Sequence, residues 1–496
     1  MAVKMISRHQ PVKPHLKKFF INLFIIKTVW QKLLKFIHKE RDSLMSEQKD
    51  LTFREVMDYV EELKMYGSVP GLISIQNLCA KLHMPQNDLK FVHIAGTNGK
   101  GSVLAFVSEI LKEAGYRVGR YLSPTIFEYR ERIQINGRSI SKKDLCRLMT
   151  VMKEICLELV NEGKPHPTAF EIETAMAFQY FKEKNCQIVV LEAGLGGLLD
   201  ATNIIEGTLV EVFTSISLDH MGILGKTLYE IAQNKAGIMK KGSVAVAIKK
   251  EPQVAEVLEG KAQSAGIPVY FVEPLEAAGV KRSLEKQVFS YKEYKNLVIT
   301  MAGSYQIENA MLAVETAEQL KKFGYVVSDK ALRAGLLKAF WPGRFQILSK
   351  KPYFIADGAH NRDGALSLAE TIRFYFTNKR IIYIIGMLRD KEQEEILKTL
   401  CPLASLVLTV STKGERGFGA YELACLAKNY HDNVTAVDSV QEAVELSYLL
   451  SDKDTIIIAC GSLSYLGELI TIVESLSVKK NRNEIGRDSH GKQRED

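Results

Sequence analysis

Short apolar runs rich in β-branched residues recur along the chain, and longer amphipathic stretches separate them. In the N-terminal part the apolar runs include residues 91–95, 188–191, 209–215 and 244–248. Runs of this length are typical of strands buried on both faces. Between them, apolar residues recur at helical spacing over 103–114, 142–161 and 170–184. This alternation limits the fold more than any other feature, because it predicts an α/β domain whose parallel sheet is covered by helices.

A second alternation of the same kind begins near residue 343 and predicts a smaller, Rossmann-like α/β domain. Its predicted strands cover 353–356, 380–386, 405–410 and 455–459. Its predicted helices cover 365–377, 392–400, 420–429 and 440–450. Pro342 and Gly343 favour a hinge between the two parts. The expected divisions are a basic extension over 1–45, a first domain over 46–342, a second over 343–478 and a polar, disordered tail over 479–496.

Charge and cysteine content exclude some classes of function. Residues 1–45 carry ten Lys and Arg against two Asp and Glu, which equals the whole net charge of +8. The body of the chain is therefore close to neutral, and we expect no nucleic-acid partner. None of the seven cysteines forms a C-x-x-C pair. Reduced, mostly buried thiols in a cytoplasmic protein fit this spacing better than disulfides or a zinc site.

The basic N-terminal segment contains an apolar run over residues 19–26. This run is too short for a membrane span, which needs about 20 residues, so we expect no integral membrane contact. Two interpretations stay open. Residues 16–38 form a basic amphipathic helix that lies on an anionic membrane surface, or the segment is a flexible extension ahead of a start at Met45.

A glycine-rich loop over residues 96–102, with the sequence G-T-N-G-K-G-S, follows the first predicted strand. Such loops turn several backbone N–H groups toward one phosphate, and the helix that follows adds its positive dipole end. Lys100 is expected to reach the outer phosphates, and the Ser102 hydroxyl to bind Mg²⁺. The loop departs from the usual Walker pattern, because Ile94 stands where that pattern has glycine and Gly101 separates Lys100 from Ser102. We expect the helix to begin at residue 102 or 103.

Chemically active side chains also follow other predicted strands and the hinge. Glu192 ends one apolar run, and carboxylates at strand ends suit a hard cation beside phosphate. His220 lies beyond the next strand, and Lys235 follows fifteen residues later. Arg344 comes just after the hinge, where it can contact a phosphate when domains close. Asp357 ends a strand of the second domain and can accept hydrogen bonds from ribose hydroxyls.

Together with their order and spacing, these strings resemble folylpolyglutamate synthase and dihydrofolate synthase, members of the Mur ligase superfamily. The resemblance covers nearly all of residues 46–478. Besides the phosphate loop, the matching strings are 122–124, 131–133, 168–171, 192–203, 218–220, 235–238, 341–345, 357–361 and 460–463. It implies an ATP-dependent ligase that adds L-glutamate to a folate, or also to dihydropteroate, through an acyl phosphate, and that acts as a monomer.

The resemblance also implies roles for individual residues. The ATP-binding set is Gly96, Thr97, Asn98, Gly99, Lys100, Gly101, Ser102, Asn309, Arg344, Asp357 and His360. The Mg²⁺ ligands are Ser102, Ser123, Glu192 and His220. The catalytic residues are Lys100, His220 and Lys235, of which Lys235 is expected to be carbamylated. The acceptor-binding set is Leu72, Thr168, Phe170, Glu171, Leu199, Asp200 and Ala201.

Three positions depart from the family pattern. Thr125 and Tyr305 stand where the family usually has histidine, and Leu198 replaces an arginine. Losing an arginine near an anionic acceptor should weaken or alter its recognition. Two alternatives therefore stay open: a Mur-type amide ligase for a different carboxylate acceptor, and a nucleotide-binding protein without ligase activity.

Overall fold

The computed structural model describes residues 50–67 and 71–476. The chain divides after Met57 into two compact units. Residues 50–57 belong to the first unit and contain the beginning of helix α1, Phe53–Glu62. The second unit holds everything described from residue 58 onward. The predicted extension over 1–45 and the tail over 479–496 lie outside the described residues.

The N-terminal part of the second unit alternates strands and helices as far as residue 338. Its strands are β1 (Phe91–Ala95), β2 (Val118–Tyr121), β3 (Ile133–Ile135), β4 (Arg138–Ser139), β5 (Ile188–Glu192), β6 (Thr208–Phe213), β7 (Val244–Ile248), β8 (Val269–Val272), β9 (Ala278–Arg282), β10 (Gln287–Tyr291) and β11 (Tyr294–Ile299). Its helices are α2 (Ile73–Lys81), α3 (Lys100–Glu113), α4 (Lys142–Asn161), α5 (Ala169–Glu183), α6 (Met221–Leu224), α7 (Leu228–Ala236), α8 (Pro252–Ala265), α9 (Tyr305–Leu320) and α10 (Asp329–Lys338).

Short 3₁₀ helices lie in several of the connections between strands and helices. They cover Leu63–Tyr66, Pro85–Asp88, Tyr129–Arg132, Ala201–Ile204, Pro274–Glu276, Lys321–Phe323 and Cys401–Leu403. The turn at Ala201–Ile204 contacts both α2 and α5. These turns matter for the site, because two of them belong to strings that the sequence singled out.

The large sheet has the order β4-β3-β2-β5-β1-β6-β7-β8. Strands β2, β5, β1, β6, β7 and β8 run parallel, and β3 pairs antiparallel with both β2 and β4. In the register, Ile94 of β1 lies beside Glu192 of β5, and Ala95 beside Phe213 of β6. The carboxyl ends of these three central strands therefore meet at one edge, where parallel sheets collect their ligands.

The C-terminal part forms a six-stranded sheet from β12 (Gln346–Lys350), β13 (Tyr353–Ala356), β14 (Arg380–Ile385), β15 (Leu406–Val410), β16 (Val434–Val437) and β17 (Thr455–Cys460). The strand order is β12-β13-β17-β14-β15-β16, with β12 alone antiparallel. The helices are α11 (Arg362–Tyr375), α12 (Gln393–Leu400), α13 (Ala420–Ala427) and α14 (Val440–Leu449), followed by a helix over 463–476. The predicted α/β class with two parallel-dominated sheets is confirmed.

Some local predictions were wrong. Helix α3 begins at Lys100 rather than at residue 102 or 103, because Gly99 adopts the left-handed conformation just before it and ends the loop earlier. The antiparallel sheet β9–β10–β11 was not predicted at all. Every residue of β9 is exposed, so this strand has none of the apolar character by which the buried strands were recognised.

The expectation of reduced, mostly buried thiols is confirmed. All seven cysteines are free, and six are buried, with Cys425 exposed. Over residues 50–67 and 71–476, no helix combines the length and apolar character needed to cross a membrane.

Candidate active site

The phosphate loop joins β1 to α3 and is shaped by two close approaches. A Cβ at Gly99, whose φ is +96°, would lie 2.6 Å from Oδ1 of Asn309. A Cβ at Gly101 would lie 2.5 Å from Cε2 of Trp341, the tryptophan at the domain junction. Because only glycine leaves room for that ring, the residue that breaks the Walker spacing is also the one that lets the junction pack on the start of α3.

The half-buried Lys100 and the buried Lys235 donate hydrogen bonds to the same carbonyl of this loop. Nζ of Lys100 donates to the carbonyl oxygens of Gly96 and Thr97, both at 3.1 Å. Nζ of Lys235, which comes from α7, donates to Gly96 O at 2.8 Å. Burial lowers the pKa of both amines, and the charge of Lys100 helps to bring the pKa of Lys235 to about 7. Neither amine forms an ion pair with a carboxylate in the described part of the chain, so both remain available to an anion.

Glu192, at the end of β5, presents a buried carboxylate near the loop. Its Oε2 accepts a long hydrogen bond of 3.4 Å from the backbone N–H of Ser123. Burial raises the pKa of Glu192 to about 7, although the charge of Lys100 opposes the shift. The Ser102 hydroxyl, in the first turn of α3, accepts a hydrogen bond of 3.1 Å from Nε2 of Gln306. The structure thus places Ser123 beside Glu192 and buries Ser102.

His220 occupies a left-handed conformation, with φ of +51°, just before α6. Its Nε2 lies 3.5 Å from Nζ of Lys391, and Lys391 forms an ion pair of 2.9 Å with Asp219. Burial alone would raise the pKa of Asp219, but the charges of Lys391 and His220 lower it to about 2. In this arrangement a cation from the C-terminal domain already lies beside the imidazole that the resemblance assigns to Mg²⁺.

The donor set is compatible with Mg²⁺ bound together with a phosphate. Among the residues that the structure describes, no three His, Cys, Asp or Glu side chains are grouped to hold a metal ion. A cation here would have to use hydroxyl oxygens, the single carboxylate of Glu192 and the imidazole of His220, with water and phosphate as its other ligands. Mg²⁺ commonly binds in this way, through one or two carboxylates plus substrate phosphates. The buried, unpaired carboxylate of Glu192 is the feature that fits it best.

A cavity of about 480 Å³ opens between the phosphate loop and the C-terminal domain. It brings together six of the predicted ATP-binding residues: Asn98, Gly99, Ser102, Asn309, Arg344 and Asp357. Apolar side chains also line it, among them Leu228, Ile248 and Leu312. Phosphate-binding groups at one side and apolar side chains at another are what a nucleotide with a planar base requires.

Asp357 ends β13 and lies on the C-terminal side of this cavity. Its Oδ2 accepts from the Phe345 backbone N–H at 2.8 Å, and its Oδ1 from that of Ala359 at 2.8 Å. Burial raises the pKa of Asp357 in spite of the nearby Arg344 guanidinium. His360 is not part of the cavity lining; its Nδ1 lies 2.7 Å from Gly358 O, and burial together with Lys391 and Arg344 lowers its pKa to about 4.

Several predicted acceptor-binding residues hold their own loops together. Thr168 and Glu171 form a capping box at the start of α5, in which Glu171 Oε2 accepts from Thr168 N at 2.7 Å and from Thr168 Oγ1 at 2.9 Å. Asp200 accepts from Leu195 N at 2.7 Å and from Thr202 N at 3.0 Å. These carboxylates are buried and already paired, so the structure gives them a loop-fixing role; contact with an acceptor stays a prediction.

The remaining acceptor-side residues are neighbours in space. Leu72 directly precedes α2, which contacts the turn that begins at Ala201. A Cβ at Gly194 would lie 2.5 Å from the Phe170 ring, so this ring packs directly on the glycine strand end. Leu199 and Leu198 are each 47% exposed. Where the family usually has a cation, this chain therefore offers apolar side chains to solvent.

Sequence reasoning predicted that Asn98 binds ATP but missed the contacts that link the two domains. Asn98 in the phosphate loop and Asn361 of the C-terminal domain exchange two hydrogen bonds of 3.1 Å. Asn361 also donates to Asp219 at 3.3 Å, and Lys391 pairs with Asp219. Lys391 lies in the loop after the carboxyl end of β14, and that position, where ligands collect in parallel sheets, is the signal that could have found it.

Comparison with known proteins identifies the family. Residues 94–317 match the Mur ligase middle domain, and residues 343–463 match the Mur ligase, glutamate ligase domain. The dihydrofolate synthase/folylpolyglutamate synthase of Bacillus subtilis (strain 168) is 35% identical over 432 residues, which cover 84% of this chain and 98% of that protein. The chain belongs to the dihydrofolate synthase/folylpolyglutamate synthase family.

Solved structures of this family share the fold. Mycobacterium tuberculosis folylpolyglutamate synthase complexed with ADP aligns with a TM-score of 0.78 and 30% identity, covering 84% of this chain and 98% of that one. Escherichia coli FolC in complex with DHPP and ADP aligns with a TM-score of 0.74 and 29% identity, covering 86% and 98%. As a member of this family, the protein is an ATP-dependent ligase, and the expected two-domain architecture is confirmed.

Proposed function

We propose that this ligase joins L-glutamate to a carboxylate of a folate, and that dihydropteroate is a second acceptor. The observation that carries the proposal is the cavity shared by the phosphate loop and the C-terminal residues Arg344 and Asp357. A relative from Bacillus subtilis is named for both activities and is matched over nearly its whole length. The balanced charge of the chain body further supports small-molecule partners, and we propose a cytoplasmic monomer.

The proposed reaction has two steps. An oxygen of the acceptor carboxylate attacks the γ-phosphorus of ATP and ADP leaves, which gives an acyl phosphate. The amine of glutamate then attacks the acyl carbon, the carbon–oxygen bond to phosphate breaks, and the amine loses a proton. Lys100 supports the first step when it exchanges the Gly96 and Thr97 carbonyls for phosphate oxygens, because its charge and the N-terminal dipole of α3 offset the charge on the transferred group.

Mg²⁺ bound beside the phosphates would neutralise part of their charge and orient the phosphoryl group. We propose Ser102, Ser123, Glu192 and His220 as the residues that hold it. Nε2 of His220 can take part only if Lys391, which lies 3.5 Å from it, moves away. We propose a carbamate on Lys235 as a further anionic group, since this buried amine lies beside the phosphate loop and lacks a carboxylate partner within residues 50–67 and 71–476.

The two activities, folylpolyglutamate synthase and dihydrofolate synthase, are distinguished by the acceptor that is glutamylated. Purified protein with ATP, Mg²⁺ and L-glutamate should lengthen a reduced folate by one glutamate, as measured by mass spectrometry, and should convert dihydropteroate to dihydrofolate. The Leu198→Arg variant, which places a cation where the family usually has one, should turn over the reduced folate faster. If neither acceptor is glutamylated by the wild-type protein while other carboxylates are, the folate assignment fails and the exposed Leu198 and Leu199 mark a site for a different acid.

A further inference from the structure

Tyr305 connects the two domains at the wall of the nucleotide cavity. It is the first residue of α9, and its phenol hydroxyl donates a hydrogen bond of 3.1 Å to Oδ2 of Asp357, which ends β13 in the C-terminal domain. Both side chains line the same cavity. Tyr305 stands where the family usually has histidine. A shorter side chain would leave the carboxylate without this donor.

The hydrogen bonds of Asp357 leave one oxygen better able to accept another. Among the described residues, Oδ2 receives two donors, the Tyr305 hydroxyl and the Phe345 backbone N–H, whereas Oδ1 receives only the Ala359 backbone N–H. A carboxylate oxygen has two lone pairs, so Oδ2 is satisfied and Oδ1 keeps one. Loss of the phenol donor would free a lone pair on Oδ2 and let the carboxylate rotate, because a single backbone contact would then hold each oxygen.

We propose that Tyr305 is a positioning residue for the nucleotide: it holds the Asp357 carboxylate so that Oδ1 accepts a hydrogen bond from a ribose hydroxyl of ATP. The inference rests on the proposed assignment of Asp357 to the ATP site. Tyr305 acts through Asp357 and takes no part in phosphoryl transfer. Tyr305 should therefore stabilise bound ATP to the same extent in the ground state and in the transition state. Its loss should raise the KM for ATP and leave kcat unchanged.

The test compares ATP with 2′-deoxy-ATP and 3′-deoxy-ATP in the wild-type enzyme and in Tyr305→Phe. Wild type should prefer ATP over at least one deoxy analogue by about tenfold in kcat/KM, which corresponds to one hydrogen bond to a charged acceptor. Tyr305→Phe should raise the KM for ATP by about 3- to 10-fold, keep kcat within about twofold, and lose most of the preference.

Tyr291→Phe is the matched control. Its hydroxyl donates at 3.3 Å to Glu315, which lies on the same helix α9 but outside the cavity lining. This variant also removes one buried phenol hydrogen bond to a carboxylate, and it should keep both the KM for ATP and the preference over the deoxy analogues. Equal loss of preference in both variants would mean a general loosening of α9 and would overturn the proposal.

The Asp357→Asn variant distinguishes the role of Tyr305 from the assignment of Asp357 to the ribose of ATP. If Asp357→Asn loses the preference and Tyr305→Phe keeps it, the ribose contact stands and the role of Tyr305 is overturned. If Asp357→Asn keeps the full preference, or wild type has none, the ribose assignment itself is wrong and the proposal falls with it. A Tyr305→Phe enzyme that only unfolds at a lower temperature, with its preference intact, also contradicts the proposal.

Discussion

Burial alone disfavours the charged form of the Glu192 carboxylate. Glu192 ends β5 at the carboxyl edge of the large sheet and is 5% exposed, and within residues 50–67 and 71–476 it has a single long hydrogen bond, from Ser123 N. Buried charges are normally paired or coordinate metals. Lys100 lies close enough to oppose the upward shift of its pKa but donates to loop carbonyls instead. A cation with its own charge would remove this cost, which is why Glu192 is the residue on which the proposed metal site depends most.

Replacing Glu192 by glutamine should raise the thermal stability of the protein and lower its ligase activity. The pKa of Glu192 is raised from 4.5 to about 7 in the folded protein, so its folded carboxylate costs free energy once the pH exceeds the unfolded value, increasingly up to about pH 7. Without Mg²⁺ and nucleotide, Glu192→Gln should therefore unfold at a higher temperature than wild type at pH 8, and the difference should shrink toward pH 4.5. Its ligase activity should fall roughly 100-fold or more.

Glu211→Gln is the control for that experiment. Glu211 is a buried carboxylate of β6, which β1 separates from β5; burial raises its pKa to about 8, and it accepts from Ser243 Oγ at 2.6 Å. This variant should keep most of the ligase activity. The account of Glu192 is contradicted if Glu192→Gln keeps its activity, or if Mg²⁺ stabilises this variant and the wild type equally in thermal unfolding.

At the scale of elements, the phosphate loop and the domain junction form one packed unit. The first turn of α3 carries Gly101, against which the ring of Trp341 packs. Asn309 of α9 lies close to Gly99, at the end of the phosphate loop. The start of α3 is thus enclosed by two later parts of the chain. One methyl group added at this point should therefore disturb the packing of both the phosphate loop and the domain junction.

Gly101→Ala tests this contact. The new methyl group would lie 2.5 Å from Cε2 of Trp341, so the ring or the helix must move. Overpacking of this kind costs about 1–3 kcal/mol, and we expect a lower free energy of unfolding in denaturant titrations together with a raised KM for ATP. Gly260→Ala in α8, where the added methyl group meets open space, should instead be neutral or stabilising. Equal effects of the two substitutions would contradict the packing argument.

The sequence predicts elements well where burial dominates. Strands β1 and β7 and helix α4 have the predicted bounds, because their apolar periodicity ends at clear breaks. Strand β9 is exposed throughout and carries no such pattern. For the site, the cavity brings together predicted residues from both domains, such as Ser102 and Arg344. Lys391 was missed because its importance comes from Asp219, a partner 172 positions earlier in the chain.

The polar and charged groups of the candidate site lie where the N-terminal and C-terminal domains meet. Asn361 links the phosphate loop, through Asn98, to Asp219, and Lys391 pairs with the same carboxylate. These contacts come from loops that end strands of both sheets. An acyl phosphate hydrolyses readily, and a cleft closed by such contacts keeps water from it. The N-terminal domain contributes the phosphate loop to the cavity, and the C-terminal domain contributes Arg344 and Asp357.

In the proposed reaction, the carboxylate of the acceptor is phosphorylated before the amide forms. The most direct test uses an acceptor labelled with ¹⁸O in both oxygens of its reactive carboxylate, with unlabelled ATP, L-glutamate and the purified enzyme. The inorganic phosphate released is then analysed by mass spectrometry. The account predicts one ¹⁸O atom in each phosphate, since the former carboxylate oxygen leaves with it. Phosphate without ¹⁸O, released together with the amide product, would contradict the account.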